Sequence, residues 1–166
     1  IIINQKRAHE RVLFEHFIQS YGNSSIKSQQ LLFPETIDFS PKDWVLAKEI
    51  IPLLVELGFD VNEFGKSSMV INGVPSDLTE VNAKDVIEST IEQFTSQKGT
   101  VKLDRREQLA INMAKRIAIP YGQELSSEEM QNLVEQLFLC DNTRISPTQK
   151  PIQTSYGFGL MEKQLS

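Results

Sequence analysis

Segments that read as strands alternate along this chain with segments that read as helices, and in places two strand-like segments adjoin. That pattern confines the chain to an α/β or α+β fold. Ile1-Ile2-Ile3 reads as a buried strand, because three β-branched residues in a row suit a covered sheet. From Ala8 to about Ser20 the pattern is helical, with Ala8, Val12, Leu13 and Phe17 on one apolar stripe. Tyr21-Gly22-Asn23-Ser24-Ser25 is a polar stop. Gln30 to Phe39 reads as a strand, and Pro34 within it confines that strand to an edge or a bulge.

Ser40-Pro41 is a helix start, with Ser as N-cap and Pro at the first helical position. This helix is expected to bury Trp44, Ala47, Ile51, Leu54 and Val55, to be kinked by Pro52 and to end at Gly58. Phe59–Phe64 and Ser68–Val74 read as two strands around Gly65-Lys66. Asn82–Gln97 and Leu103–Ile119 are helical. The first buries Val86, Ile87, Ile91 and Phe94; the second buries Leu109, Ala110, Met113, Ala114 and Ile117 and stops at Pro120. Ser126 to Glu129 forms a capping box before Met130, Leu133, Val134, Leu137 and Phe138. Ile152 to about Phe158 reads as a last strand.

With 166 residues the chain suits one domain, or one domain carrying an inserted lobe. A net charge of −5 makes it a poor default binder of a phosphate backbone. One cysteine, Cys140, excludes an internal disulfide, fits a reducing compartment and is expected to be a small core residue. A cytoplasmic location and no membrane contact are therefore expected, since no apolar run approaches the ~18 residues of a spanning helix. The chain opens in mid-pattern without Met, so a fragment of a longer protein is expected.

The stretch INQKRAHERVLFE, Ile3 to Glu15, concentrates Lys6, Arg7, His9, Glu10, Arg11 and Glu15 behind an apolar run. His9-Glu10 looks like half of a zinc-binding HExxH, but His16 lies about 10 Å further along a helix, too far to share the metal. Glu10 and Glu15, five apart, point in different directions. On the residues alone this is a solvated helix face, and the chain shows no nucleophile elbow, phosphate loop or dinucleotide fingerprint.

That same stretch resembles the motif DQHAxxExxxxE that opens the C-terminal domain of the MutL family of DNA mismatch repair proteins. Asn4 stands at the Asp position, Gln5 at Gln, Lys6 at His, and Glu10 and Glu15 at the two glutamates. LAINMAKRIAI resembles the family's AC(K/R) helix, with Ala114 in place of the cysteine. Ser146-Pro147-Thr148-Gln149-Lys150-Pro151 falls on the family's CPHGRP, and the spacing from there to Met161-Glu162-Lys163 also fits.

The resemblance implies a two-lobed fold: a discontinuous dimerisation lobe from 1–39 and 101–166, with an external lobe inserted at 40–100. It also implies a homodimer that holds together two ATPase arms lying outside this chain, raising their effective concentration. MutS and other mismatch repair proteins are implied partners, with DNA contacted only indirectly. In nuclease-active members the motifs bind zinc or manganese. Here Lys6, Ala114, Ser146 and Thr148 replace potential ligands and Asn4 replaces the Asp, so no catalytic residue, no metal and no cofactor are expected. Gln29-Gln30-Leu31-Leu32-Phe33-Pro34 resembles the family's short sliding-clamp motif, in which Gln29 hydrogen-bonds and Leu31, Leu32 and Phe33 fill a groove ahead of Pro34. An edge strand entering the core is the competing reading of that stretch. The competing function is a manganese-dependent DNA nicking nuclease rebuilt around Glu10, Glu15 and His9; a generic α/β adaptor is a third.

Overall fold

A computed structural model describes residues 1–21, 27–76, 78, 82–96 and 104–155. The elements run β1 (Ile2–Ile3), α1 (Gln5–Ser20), β2 (Ser28–Asp38), α2 (Pro41–Glu56), β3 (Asp60–Phe64), β4 (Ser68–Pro75), α3 (Ala83–Ser96), α4 (Arg105–Ile117), α5 (Ser127–Leu139) and β5 (Gln153–Thr154). This is the mixed α/β architecture that the alternation requires. Two compact units partition it: Ile1–Glu15 with Ala118–Ser166, and His16–Ile117. Among the described residues no helix is long and apolar enough to cross a membrane.

In the first unit, β1 pairs antiparallel with β5, placing Ile2 opposite Thr154 and Ile3 opposite Gln153. Ala8 of α1, Leu133 and Leu137 of α5, and Ile152 form its core, flanked by Ile3, Val12, Ile119 and Leu125. The capping box of α5 is present: the Ser126 hydroxyl accepts from the Glu129 amide at 3.2 Å, and the Glu129 carboxylate accepts from the Ser126 amide at 2.7 Å. Ile1 precedes the strand and is exposed, and Ile2 is exposed rather than buried because a two-stranded ribbon covers it on one side at most. Met130 and Phe138 are likewise exposed. Phe138 lies about 100° around the helix from Leu137, which takes the core position. The expected last strand reaches only Thr154, and residues 156–158 lie outside those described.

In the second unit a three-stranded antiparallel sheet, ordered β2-β4-β3, carries α2 and α3, with α4 packed on α3. Ser40 caps α2, its hydroxyl accepting from the Asp43 amide at 3.2 Å, with Pro41 at the first turn. Gly58 at φ 89 follows α2, a left-handed conformation that glycine adopts without cost. The buried stripe of α2 is Trp44, Ala47, Ile50 and Leu54, continued by Leu57. Its steps of mainly three residues drift around the helix, so Val55 ends exposed and Ile51 only half-buried, a correction to the expected face. Val86, Ile87, Ile91 and Phe94 of α3 and Leu109, Ala110, Met113 and Ala114 of α4 are buried as their spacing predicts; Ile117 is only half-buried.

Candidate functional site

α1 begins at Gln5, three residues before its apolar stripe. Asn4 is the cause: its side-chain oxygen accepts from the Arg7 amide at 3.0 Å, and its backbone carbonyl accepts from Ala8 at 2.9 Å. Its own amide donates to the Ile152 carbonyl at 2.8 Å, tying the helix start to the segment before β5. Asn4 thus serves as an N-cap. The Lys6 ammonium lies 5.6 Å from the centroid of the Tyr121 ring. An open groove of ≈ 390 Å³ runs beside these residues, lined by Ile3, Asn4, Lys6, Tyr121, Met130 and Leu133 among others. Among the described residues its lining holds a lysine and no carboxylate, a chemistry that repels a cation.

The charged face of α1 is not solvated. Glu10, Arg11 and Glu15 are only 5%, 8% and 9% exposed. Arg7, Arg11 and Glu15 recur every four residues, so they lie along one side of the helix, and all three grip the segment from Asp141 to Pro151. Arg7 Nη1 donates to the Pro151 carbonyl at 2.7 Å. Arg11 donates through Nε and Nη2 to the Ile145 carbonyl at 2.9 and 2.6 Å. Glu15 accepts from the Asp141 amide at 2.7 Å and the Asn142 amide at 3.3 Å, and pairs with Arg11 at 3.5 Å. Burial is tolerated because the Glu15 and Arg11 charges meet these fixed partners. The composition of this stretch concealed the arrangement; the four-residue spacing is the signal that could have found it.

Ser146 is fully buried. Its hydroxyl lies 3.0 Å from the Thr148 hydroxyl and accepts from the Lys150 amide at 3.2 Å. The Ser146 amide donates to the Lys150 carbonyl at 2.8 Å, and Ile145 and Pro151 bridge across the base. The result is a closed turn whose two hydroxyls bond to each other. Gln149 sits in it at φ 61, at the position where the CPHGRP motif has its glycine. The residues at the motif's Cys and His positions therefore spend their polar groups on the turn itself.

His9 Nδ1 accepts from the Ile119 amide at 3.1 Å. Burial, with Lys6 nearby, holds its pKa below the usual histidine value. Cys140 caps the end of α5, half-buried, and its thiol is pushed up to about 11, first by burial and then by Glu15. It is a poor thiolate source. Ala114 lies in α4, in the other compact unit. Among the described residues no group of three or more His, Cys, Asp or Glu could hold a metal ion.

The stretch Gln29–Pro34 lies on β2, at an edge of its sheet. Gln30 pairs with Gly73 of β4, and pairing resumes only at Glu35 opposite Ile71. Leu31, Leu32, Phe33 and Pro34 leave the ladder in between, where a proline is tolerated. Leu32 is 93% and Phe33 83% exposed; Gln29 and Pro34 are exposed and Leu31 half-buried.

A family model described as the MutL C terminal dimerisation domain matches residues 1–125. The chain belongs to this family. Among relatives, the DNA mismatch repair protein MutL of Chlorobium phaeovibrioides is 34% identical over 162 residues, 98% of this chain and 26% of that protein. The MutL of Chlorobaculum tepidum is 35% identical over 163 residues, again 98% of this chain and 26% of the relative. The MutL of Flavobacterium psychrophilum is 33% identical over all 166 residues and 27% of its own length. The chain thus spans about a quarter of the MutL proteins it matches. These alignments run beyond residue 125, so they take in the Ser146–Pro151 turn as well as the α1 motif.

Proposed function

We propose that this chain is the dimerisation and partner-interaction domain of a cytoplasmic DNA mismatch repair protein, forming a homodimer and having no nuclease activity of its own. The observation that carries the second part is the use to which the motif positions are put. Asn4 caps a helix, Lys6 rests over Tyr121, and Ser146 and Thr148 bond to each other inside a turn. A hydroxyl pair and an ammonium are poor ligands for zinc, which takes thiolate, imidazole or carboxylate. We read the region as a former metal site whose scaffold persists because it holds α1 to the 141–151 segment. For the nicking alternative, the carboxylate of Glu15 and Nδ1 of His9 are already engaged by backbone amides.

In this reading residues 1–39 and 101–166 dimerise and 40–100 form the external lobe. β2, at the end of the first of these ranges, pairs with β4 of the external lobe, so in this reading the two lobes share a sheet. The ATPase belongs to the rest of the parent protein. Gln29, Leu31, Leu32, Phe33 and Pro34 dock on the sliding clamp, a role that the exposure of all but the half-buried Leu31 at a sheet edge supports. MutS and other repair proteins, and DNA through them, are engaged by the whole assembly.

Metal analysis of the purified chain, together with nicking of supercoiled plasmid in manganese, tests the non-catalytic assignment. No stoichiometric zinc and no nicking are expected. Robust nicking that disappears in Glu10→Ala would overturn it.

A further inference from the structure

The registers on both sides of the central strand break at one residue. β2 pairs Gln30 with Gly73 and then Glu35 with Ile71. β3 pairs Asp60 with Gly73 and then Val61 with Ile71. Asn72 is passed over by both neighbours. At this level the Asp60 carboxylate gathers amides from three strands: Gln30 Nε2 of β2 at 2.9 Å, Asn62 Nδ2 of β3 at 3.2 Å and Asn72 Nδ2 of β4 at 3.4 Å. Gly73 admits the close approach of β2, because a Cβ there would lie 2.6 Å from Ser28 Oγ and 2.8 Å from the Gln29 carbonyl. The entry to the Leu31–Pro34 excursion is therefore fixed by contacts to β3 and β4. Ladder pairing from Glu35 onward fixes its exit. Between these fixed ends stand the two most exposed of the apolar residues in the stretch, Leu32 and Phe33.

We propose that Asp60, acting through Gln30, is a positioning residue for clamp docking: it holds the excursion in a preformed shape, so that residues outside the linear motif set its affinity. This rests on the reading of Gln29–Pro34 as the clamp contact. The physical basis is the ordering cost. A free peptide must lose backbone and side-chain freedom on docking, whereas an excursion fixed at both ends has lost much of it on folding. Gln30 then has a role distinct from Gln29. Its side chain is directed to Asp60 and does not serve the partner.

The test is calorimetric titration of a purified bacterial sliding clamp with the folded chain, with a peptide of residues 28–38, and with variants of each. The folded chain should bind about fivefold or more tightly than the peptide. Asp60→Ala and Gln30→Ala in the folded chain should each weaken binding about three- to tenfold. The double variant should be no weaker than the weaker-binding single, as expected for two ends of one interaction. Gln30→Ala in the peptide should change nothing, a readout that separates positioning from direct contact. Gln30 is exposed, so its variant folds even if Asp60→Ala does not. Equal affinity of peptide and folded chain, or unaltered binding by Gln30→Ala in the folded chain, overturns the positioning role while leaving the clamp contact standing. Failure of the wild-type chain to bind, or undiminished binding by Gln29→Ala/Leu32→Ala, removes the clamp reading itself and the positioning role with it.

Discussion

The Arg11 guanidinium closes on the carbonyl of Ile145 with two hydrogen bonds, at 2.9 and 2.6 Å, across 134 residues of chain. One side of α1 thereby holds the segment that carries Ser146 and Thr148. Long-range closure of this kind is costly to form and, once formed, depends on each buried partner.

Glu15 is the partner whose loss should be felt most. Glu15→Ala would leave the Asp141 and Asn142 amides without their acceptor and strip Arg11 of its countercharge. A loss of about 2–3 kcal/mol is expected in urea unfolding. Glu15→Gln keeps an acceptor oxygen and should lose less. Equal stability of Glu15→Ala and wild type would mean that Glu15 does not hold the 141–151 segment to α1.

Gln149 offers the opposite sign. Its φ of 61 is a left-handed conformation that costs a side chain of this kind about 1 kcal/mol. Gln149→Gly should relieve that strain, against a smaller entropic penalty in the unfolded chain, and raise the thermal midpoint slightly. A lowered midpoint would show that the Gln149 side chain contributes more than its backbone costs.

His9 gives a pH dependence of defined sign. Its folded pKa is depressed from 6.5, first by burial and then by Lys6, and only the neutral ring can accept the Ile119 amide at Nδ1. The unfolded chain therefore binds this proton more readily. The stabilisation is complete above the unfolded value and is lost as pH falls from 6.5 toward the folded pKa. Thermal melts between pH 7 and 5 should show a decline that is smaller in His9→Ala, and an identical decline in both would contradict the assignment.

Thr90 of α3 is buried among Ile50, Leu54, Val86, Ile87, Leu109 and Met113, and its hydroxyl has no hydrogen-bond partner among the described residues. Thr90→Val removes the unpaired oxygen at nearly constant volume. It should stabilise the chain by about 1 kcal/mol; destabilisation would indicate a partner for the hydroxyl.

The sequence disclosed elements whose signals are local. Ser40-Pro41, the Ser126–Glu129 box and the 3.6-residue spacing of Val86, Ile87, Ile91 and Phe94 each act over a few residues and reappear in place. Pro34 limited β2 to an edge or a bulge because it has no donor to give a ladder, and β2 is an edge strand with an irregularity at that place. What stayed hidden depends on partners far along the chain. Glu10, Arg11 and Glu15 look like a solvated face until the 141–151 segment, more than a hundred residues away, covers part of it. Ile1 and Ile2 look like core because β-branched runs usually are, yet Ile1 precedes the ribbon and Ile2 is left exposed by it. The Asp60 bracket was equally invisible, since nothing in Gln29–Pro34 names the strand that Gln30 reaches. The left-handed backbone at Gln149 was likewise not legible, because a glutamine there gives no sign of it.

Sedimentation equilibrium of the purified chain at micromolar concentration tests dimerisation most directly. A C2 interface is the commonest way for one chain to cover an apolar surface with its own copy, and exposed Ile1, Ile2, Phe138 and Leu139 leave such surface available. The expected result is twice the chain mass of 18.9 kDa, persisting on dilution through the micromolar range. A species of single-chain mass across that range would contradict the account.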